Sequence, residues 1–166
     1  HGREPANGTR LSCRMQAADQ SARQAFMKVV FRTDGSTFMG QGHVMRCLTL
    51  ANVLRERGAE INFICRKHPG HLCDLIAQRG FVVHRLPLAE QGMSHLTGHA
   101  GWLGASWEAD AEQTRQVIQG LGGTADVLVV DHYAVDYKWE TTLRPSVGRI
   151  LAIDYLADRV HDCDLL

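Results

Sequence analysis

A β-rich run, Lys28-Val29-Val30-Phe31, opens into a glycine loop, Asp34-Gly35-Ser36-Thr37-Phe38-Met39-Gly40-Gln41-Gly42-His43. Beyond it Val44, Cys47, Leu48, Ala51 and Leu54 recur at three-and-four spacing until Arg55-Glu56-Arg57-Gly58 closes the segment. A strand that turns through glycines into an amphipathic helix is the start of a βαβ unit, and such a unit needs further strands lying parallel to the first. The chain supplies them: β-rich runs at 28–32, 60–65, 81–86, 126–131 and 149–154 alternate with helical patterns near 70–79, 108–120 and 136–144. This alternation predicts an α/β fold, a Rossmann-like parallel sheet with flanking helices.

The remaining segments set the domain count and exclude several classes. Residues 1–26 mix Gly, Pro, Ser, Gln and arginine without periodicity and read as a disordered leader, with an Arg-rich transit peptide as the alternative. Residues 27–166 are then one domain, ending in an apolar strand that starts at the last few positions, as at a truncated end. Eighteen basic residues balance eighteen acidic ones, so no basic footprint points to nucleic acid or an anionic membrane. No apolar run reaches the roughly 18 residues of a membrane span. Five cysteines without a Cys-x-x-Cys pair fit reduced thiols better than a disulfide framework, and the expected location is the cytoplasm.

The loop between the first strand and first helix is where an open parallel sheet places its ligands. Gly40 and Gly42 let the backbone approach a bound group, the free amides of the helix start favour an anionic oxygen, and His43 in the first turn is the side chain best suited to move a proton near neutral pH. The competing reading is a plain turn, with His43 satisfying a local hydrogen bond. A dinucleotide site is disfavoured, since Met45 stands where the third glycine of that fingerprint belongs and no acid follows the second strand; Arg66 and Lys67 keep only an NADP variant open. Asp131-His132-Tyr133 follows the apolar run 127–130 and so lies at the carboxyl edge of the sheet, as does Asp154 after the fifth strand. The competing reading there is an aspartate capping the next turn with His132 exposed. Cys65, His68, His71 and Cys73 form a run whose spacing matches no usual structural zinc pattern, and the helical spacing of His95 and His99 is undercut by nearby glycines. Trp102 and Trp107 are read as packing the long 88–104 loop onto the sheet.

In order along the chain stand Arg32-x-Asp34, Gly40-x-Gly42-His43-x-x-Arg46, Leu50-Ala51, Trp102-Leu103-Gly104, Asp110-Ala111-x-x-Thr114, Asp131-His132-Tyr133, Ile153-Asp154 and His161-Asp162-Cys163-Asp164-Leu165-Leu166. This set resembles the UDP-2,4-diacetamido-2,4,6-trideoxy-β-L-altropyranose hydrolases of pseudaminic acid biosynthesis and related spore-coat polysaccharide proteins, over nearly all of 28–166. The resemblance implies the N-terminal domain of a GT-B-like enzyme of two Rossmann-like domains, which hydrolyses a UDP-linked diacetamido-trideoxy sugar with His43 as general base. It further implies substrate contacts from Arg32, Asp34, Gly40, Gly42, Arg46, Asp131, His132, Tyr133 and Asp154, and a second domain holding most of the nucleotide. The chemistry needs a base and a positive environment for the departing UDP, and neither demands a metal or cofactor. One departure is that Tyr155 follows Asp154 where the resembled family often has a second acid. The alternatives are a GT-B glycosyltransferase using a UDP-sugar donor and a non-catalytic sugar-nucleotide-binding module.

Overall fold

A computed structural model describes residues 26–89 and 98–166. Five strands, β1 (Lys28–Thr33), β2 (Glu60–Arg66), β3 (Val82–Leu86), β4 (Ala125–Asp131) and β5 (Val147–Ala152), form one sheet in the order β3-β2-β1-β4-β5, with every neighbouring pair parallel. Helices α1 (Gly42–Glu56), α2 (Cys73–Gln78), α3 (Trp107–Gly120) and α4 (Tyr137–Leu143) flank it, with 3-10 turns at Gly98–Leu103 and Arg144–Ser146. This is the expected Rossmann-like α/β architecture. The strand order reverses between β1 and β4, and a reversal of this kind opens a crevice at the carboxyl ends of the strands.

Strand alternation divides the core in two. Val29 and Phe31 of β1, Ile61, Phe63 and Cys65 of β2 and Val129 of β4 pack with Val44, Cys47 and Leu48 of α1 and Ile76 of α2. Val30, Ile64, Leu128 and Val130 face the other way, onto Ala111 and Ile118 of α3 and Trp139 and Leu143 of α4. Full burial of such a side chain contributes about 1.5–3 kcal/mol. The same period carries into the strand ends, so Asp131 falls on the α1 face with Val129, whereas Arg32 and Arg66 fall on the α3 face with Val30 and Ile64.

Several boundaries differ from the sequence expectation for local reasons. α2 begins at Cys73 rather than near 70, because Gly70 sits at φ +72° in a turn that cannot start a helix. β5 begins at Val147, directly after the Pro145-containing 3-10 turn, and ends at Ala152, so Ile153 and Asp154 lie beyond the strand. Within the predicted 88–104 loop, Gly98–Leu103 is a 3-10 turn. The leader reading for 1–26 and the reading of His95 fall on residues outside the described ones, apart from Phe26. At the other end Leu165 bridges Leu151 in parallel, where an apolar strand was expected to start. Among the described residues no helix is long and apolar enough to cross a membrane.

Candidate active site

The first loop is shaped by a closed turn. Ser36 and Gly40 exchange backbone hydrogen bonds, Ser36 Oγ accepts from the amides of Phe38 and Met39 at 3.2 and 3.1 Å, and Gly40 takes φ +77°, which a residue with a Cβ rarely adopts. The turn delivers Gly42 as the first residue of α1, whose start has no side-chain cap. His43 and Arg46, three residues apart, then share the face of α1 turned toward the end of β4.

Register does the rest. Thr33, the last residue of β1, pairs with Asp131, the last of β4. The Asp131 carboxylate therefore stands at the strand-order reversal, beside α1. Its Oδ1 lies 2.6 Å from His43 Nδ1 and accepts from Arg46 Nη2 at 2.6 Å, while its Oδ2 accepts from Arg46 Nε. Burial alone would raise the Asp131 carboxyl, but the hydrogen bonds from Arg46 and His43 outweigh it and hold the group below the usual carboxylate range. The bonds that Arg46 donates to Asp131 in turn hold its guanidinium charged. An ionised carboxylate only accepts, so His43 Nδ1 carries a proton and donates, and in the neutral imidazole the lone pair is then on Nε2. Among the described residues Nε2 has no hydrogen-bond partner. Cys47, one helical turn beyond His43, points its thiol at Asp131 Oδ2 from 3.6 Å, and burial pushes that thiol up and keeps it protonated.

Tyr133 completes the inner wall. Its ring meets the His43 imidazole edge-on at 4.5 Å and 78°, and Trp102 lies 6.0 Å away on another side. Burial pushes the Tyr133 phenol up, with the neighbouring Tyr155 phenol adding to the shift. Tyr155 packs edge-on against Tyr133 at 5.4 Å, with the Arg46 guanidinium 5.4 Å from its ring centre.

Arg32 and Asp34, read from the sequence as neighbours of the same loop, lie on the other face of the sheet and are fully buried. Arg32 donates to Asp110 Oδ1 and Oδ2 at 3.1 and 2.7 Å and lies 2.8 Å from Asp34 Oδ1. Arg66 donates to the same Asp110 at 2.6 Å and to Gln113 at 2.7 Å, so its guanidinium is engaged in the core, and of the two cations of the NADP reading Lys67 is the exposed one. Trp139 Nε1 donates to Asp110 Oδ1 at 3.0 Å. Burial opposes charge throughout this network, yet the Arg32 guanidinium keeps both Asp34 and Asp110 below their ordinary range. Sequence reasoning listed Asp110 in a motif without giving it a role. The signal available was alternation: Arg32 and Arg66 share the parity of Val30 and Ile64, which turns both toward α3, where Asp110 stands, in addition to the Asp34 carboxylate beside Arg32.

His132 is buried rather than exposed. Its Nδ1 accepts from the Ala134 amide at 3.1 Å, so Nε2 carries the hydrogen and faces Asp34 Oδ2 at 3.3 Å. Burial lowers its pKa against the opposing pull of Asp34. Asp154 closes its own turn, accepting from the amides of Leu156 and Ala157 and pairing with Arg159 at 3.0 Å. The zinc alternative at Cys65, His68, His71 and Cys73 meets a different arrangement: Cys65 and Cys73 are buried in the core on the α1 side of the sheet. Among the described residues no group of three or more His, Cys, Asp or Glu is placed to hold a metal ion. Trp107 packs against the α3-side core. A cavity of about 270 Å³ lies away from His43, against β5, lined by Val127, Ile150, Leu151 and Leu165 with Arg149 and Asp164 as its charged members.

No family model matches this chain. It is 26% identical over 144 residues to a UDP-2,4-diacetamido-2,4,6-trideoxy-β-L-altropyranose hydrolase of Campylobacter jejuni subsp. jejuni serotype O:2, an alignment covering 84% of this chain and 40% of that protein. The chain thus spans about 40% of the length of the curated relative it matches. Among solved structures it is similar to formyltetrahydrofolate deformylase from Burkholderia mallei, with TM-score 0.43 and 16% identity over 74% of this chain and 37% of that one.

Proposed function

We propose that this domain supplies the general base for hydrolysis of a UDP-linked diacetamido-trideoxy sugar to UDP and the free sugar, a step of nonulosonic acid synthesis. The observation that carries the reading is the His43–Asp131 pair at the strand-order reversal, with Nδ1 engaged at 2.6 Å and Nε2 open. In the proposed reaction Nε2 takes a proton from water, the water oxygen bonds to the anomeric carbon, and the bond from that carbon to the diphosphate oxygen breaks with its electron pair leaving on UDP. Asp131 orients the imidazole and stabilises its charge as the proton arrives, and Arg46 fixes Asp131. The distant similarity to a UDP-sugar hydrolase supports the substrate class.

In this reading residues 27–166 form the N-terminal half of a GT-B-like enzyme, and a second domain holds most of the nucleotide. Gly40 and Gly42 give the substrate close access to the backbone beside His43, while Asp131 and Tyr133 shape the wall and His132 supports it from the buried side, against Asp34. Arg32 and Asp34 act from beneath, by fixing the strand ends, and Asp154 holds the turn that carries Tyr155. No step calls on a metal or cofactor, so exhaustive chelation is expected to leave turnover unchanged. The deciding experiment is product analysis of the full-length protein with UDP-2,4-diacetamido-2,4,6-trideoxy-β-L-altropyranose. Free sugar and UDP formed without an acceptor support hydrolysis, turnover only with an added acceptor indicates a glycosyltransferase, and binding without turnover indicates a non-catalytic module.

A further inference from the structure

We infer that Tyr155 is the platform on which the sugar ring of the substrate rests, and that the wall around it takes an uncharged pyranose rather than a phosphate. The inference rests on the hydrolase reading above and adds to it a specificity residue. His43 itself offers little surface, its side chain being 7% exposed, and Asp131 and Tyr133 are likewise buried. The groups beside them that do face solvent are the Arg46 side chain, 34% exposed, and Tyr155, 69% exposed. Among the described residues, a ligand that reaches His43 therefore meets Arg46, which touches the imidazole, and, one ring further out, Tyr155 against Tyr133.

Tyr155 is also held in place before any ligand arrives. Its ring stands at 86° to Tyr133, which packs edge-on against His43, so a single aromatic ring separates it from the base. Arg46 sits against its ring and is itself anchored to Asp131. Such pre-ordering lowers the entropy lost on binding.

Charge decides which part of the substrate fits. Arg46 is matched by Asp131, and Arg159, which lies 5.7 Å from the Tyr133 ring centre, is matched by Asp154 at 3.0 Å and Asp158 at 2.8 Å. Each cation on this wall already has its carboxylate, so a diphosphate gains little there, whereas the C–H face of a pyranose packs well on an aromatic ring. A 2,4-diacetamido-2,4,6-trideoxy sugar suits such a wall better than an ordinary hexose, because a methyl group and acetamido groups replace hydroxyls.

Steady-state kinetics of the full-length protein with the sugar nucleotide, and inhibition by UDP alone, test the inference. Tyr155→Ala is expected to raise KM roughly three- to tenfold, the range of an aromatic ring contact, with kcat within about twofold of wild type. Tyr155→Phe keeps the ring and is expected to behave as wild type, and the UDP inhibition constant should not move in either variant. An unchanged KM in Tyr155→Ala overturns the inference, as does a Phe variant as impaired as the Ala variant, or a loss of UDP affinity matching the rise in KM. If the wild-type protein does not turn over this sugar nucleotide, the hydrolase reading fails and takes the platform with it. Normal wild-type turnover with an unaffected Tyr155→Ala removes the platform alone.

Discussion

Asp131 and Asp110 are each held by arginine at the carboxyl edge of the same sheet, on opposite faces, and their surroundings differ in one respect that matters for chemistry. Asp110 accepts from Arg32, Arg66 and the Trp139 indole, and both of its arginines have fully buried side chains. Asp131 accepts from one arginine that is 34% exposed, from the Cys47 thiol and from an imidazole whose other nitrogen is open. A buried set of charges tolerates no missing partner, because any group left over pays its full desolvation penalty. The half-exposed set can leave a lone pair free. The first arrangement locks β1, β2, α3 and α4 together; the second presents a base.

This contrast can be broken first at His43. In the full-length protein His43→Ala is expected to lower kcat about 10²- to 10⁴-fold, the usual cost of losing a general base, with thermal stability close to wild type and UDP affinity retained. Near-normal kcat would remove His43 from the reaction.

Asp110→Ala should show the reverse profile. It strands two guanidinium groups in the interior, and urea denaturation is expected to report a loss of about 3–5 kcal/mol. A variant as stable as wild type would mean that Arg32 and Arg66 find other partners or water. Trp139→Phe probes the same network more gently. It removes one donor to Asp110 while keeping an aromatic ring in the core, and the expected loss is about 1–2 kcal/mol by the same measurement.

The smallest effect is on pH dependence. Burial depresses the His132 pKa in the folded protein, so below about pH 6.5 the unfolded chain binds more protons there than the folded one. Stability is then fully present above that pH and declines as pH falls through the folded value. Asp34, Asp110 and Asp131 are depressed carboxyls, and their contribution is retained until pH drops below about 4. Denaturation midpoints between pH 7.5 and 5 should fall gently in wild type and less in His132→Gln. A flat wild-type profile would show that burial of His132 is not felt.

Much of the candidate site was legible along the chain. The glycine loop, the first turn of α1 and the Asp131-His132-Tyr133 strand end all lie where local patterning places them, since a strand, a turn and a helix start each leave a short-range signature. The orientation of individual side chains was legible only in part. Arg32 and Arg46 both flank the loop in sequence, yet they point to opposite faces, because one continues the alternation of β1 and the other lies on α1. The sequence left His132 between a substrate contact and an exposed turn residue, whereas in the fold it is bracketed by the Ala134 amide and Asp34.

Period-two runs, three-and-four spacing and glycines at turns determined the α/β class, the approximate elements and the edge of the sheet on which polar residues gather, because these follow from backbone geometry within a few residues. Which acid serves which base was decided by tertiary structure alone. His43 and Asp131 are 88 positions apart, and Arg32 and Asp110 are 78 apart. No local rule couples such positions; they meet only after α1 has settled on one face of the sheet and α3 on the other. Burial, set at that same step, then determined that one pair would close into a structural lock and the other keep a nitrogen free for chemistry.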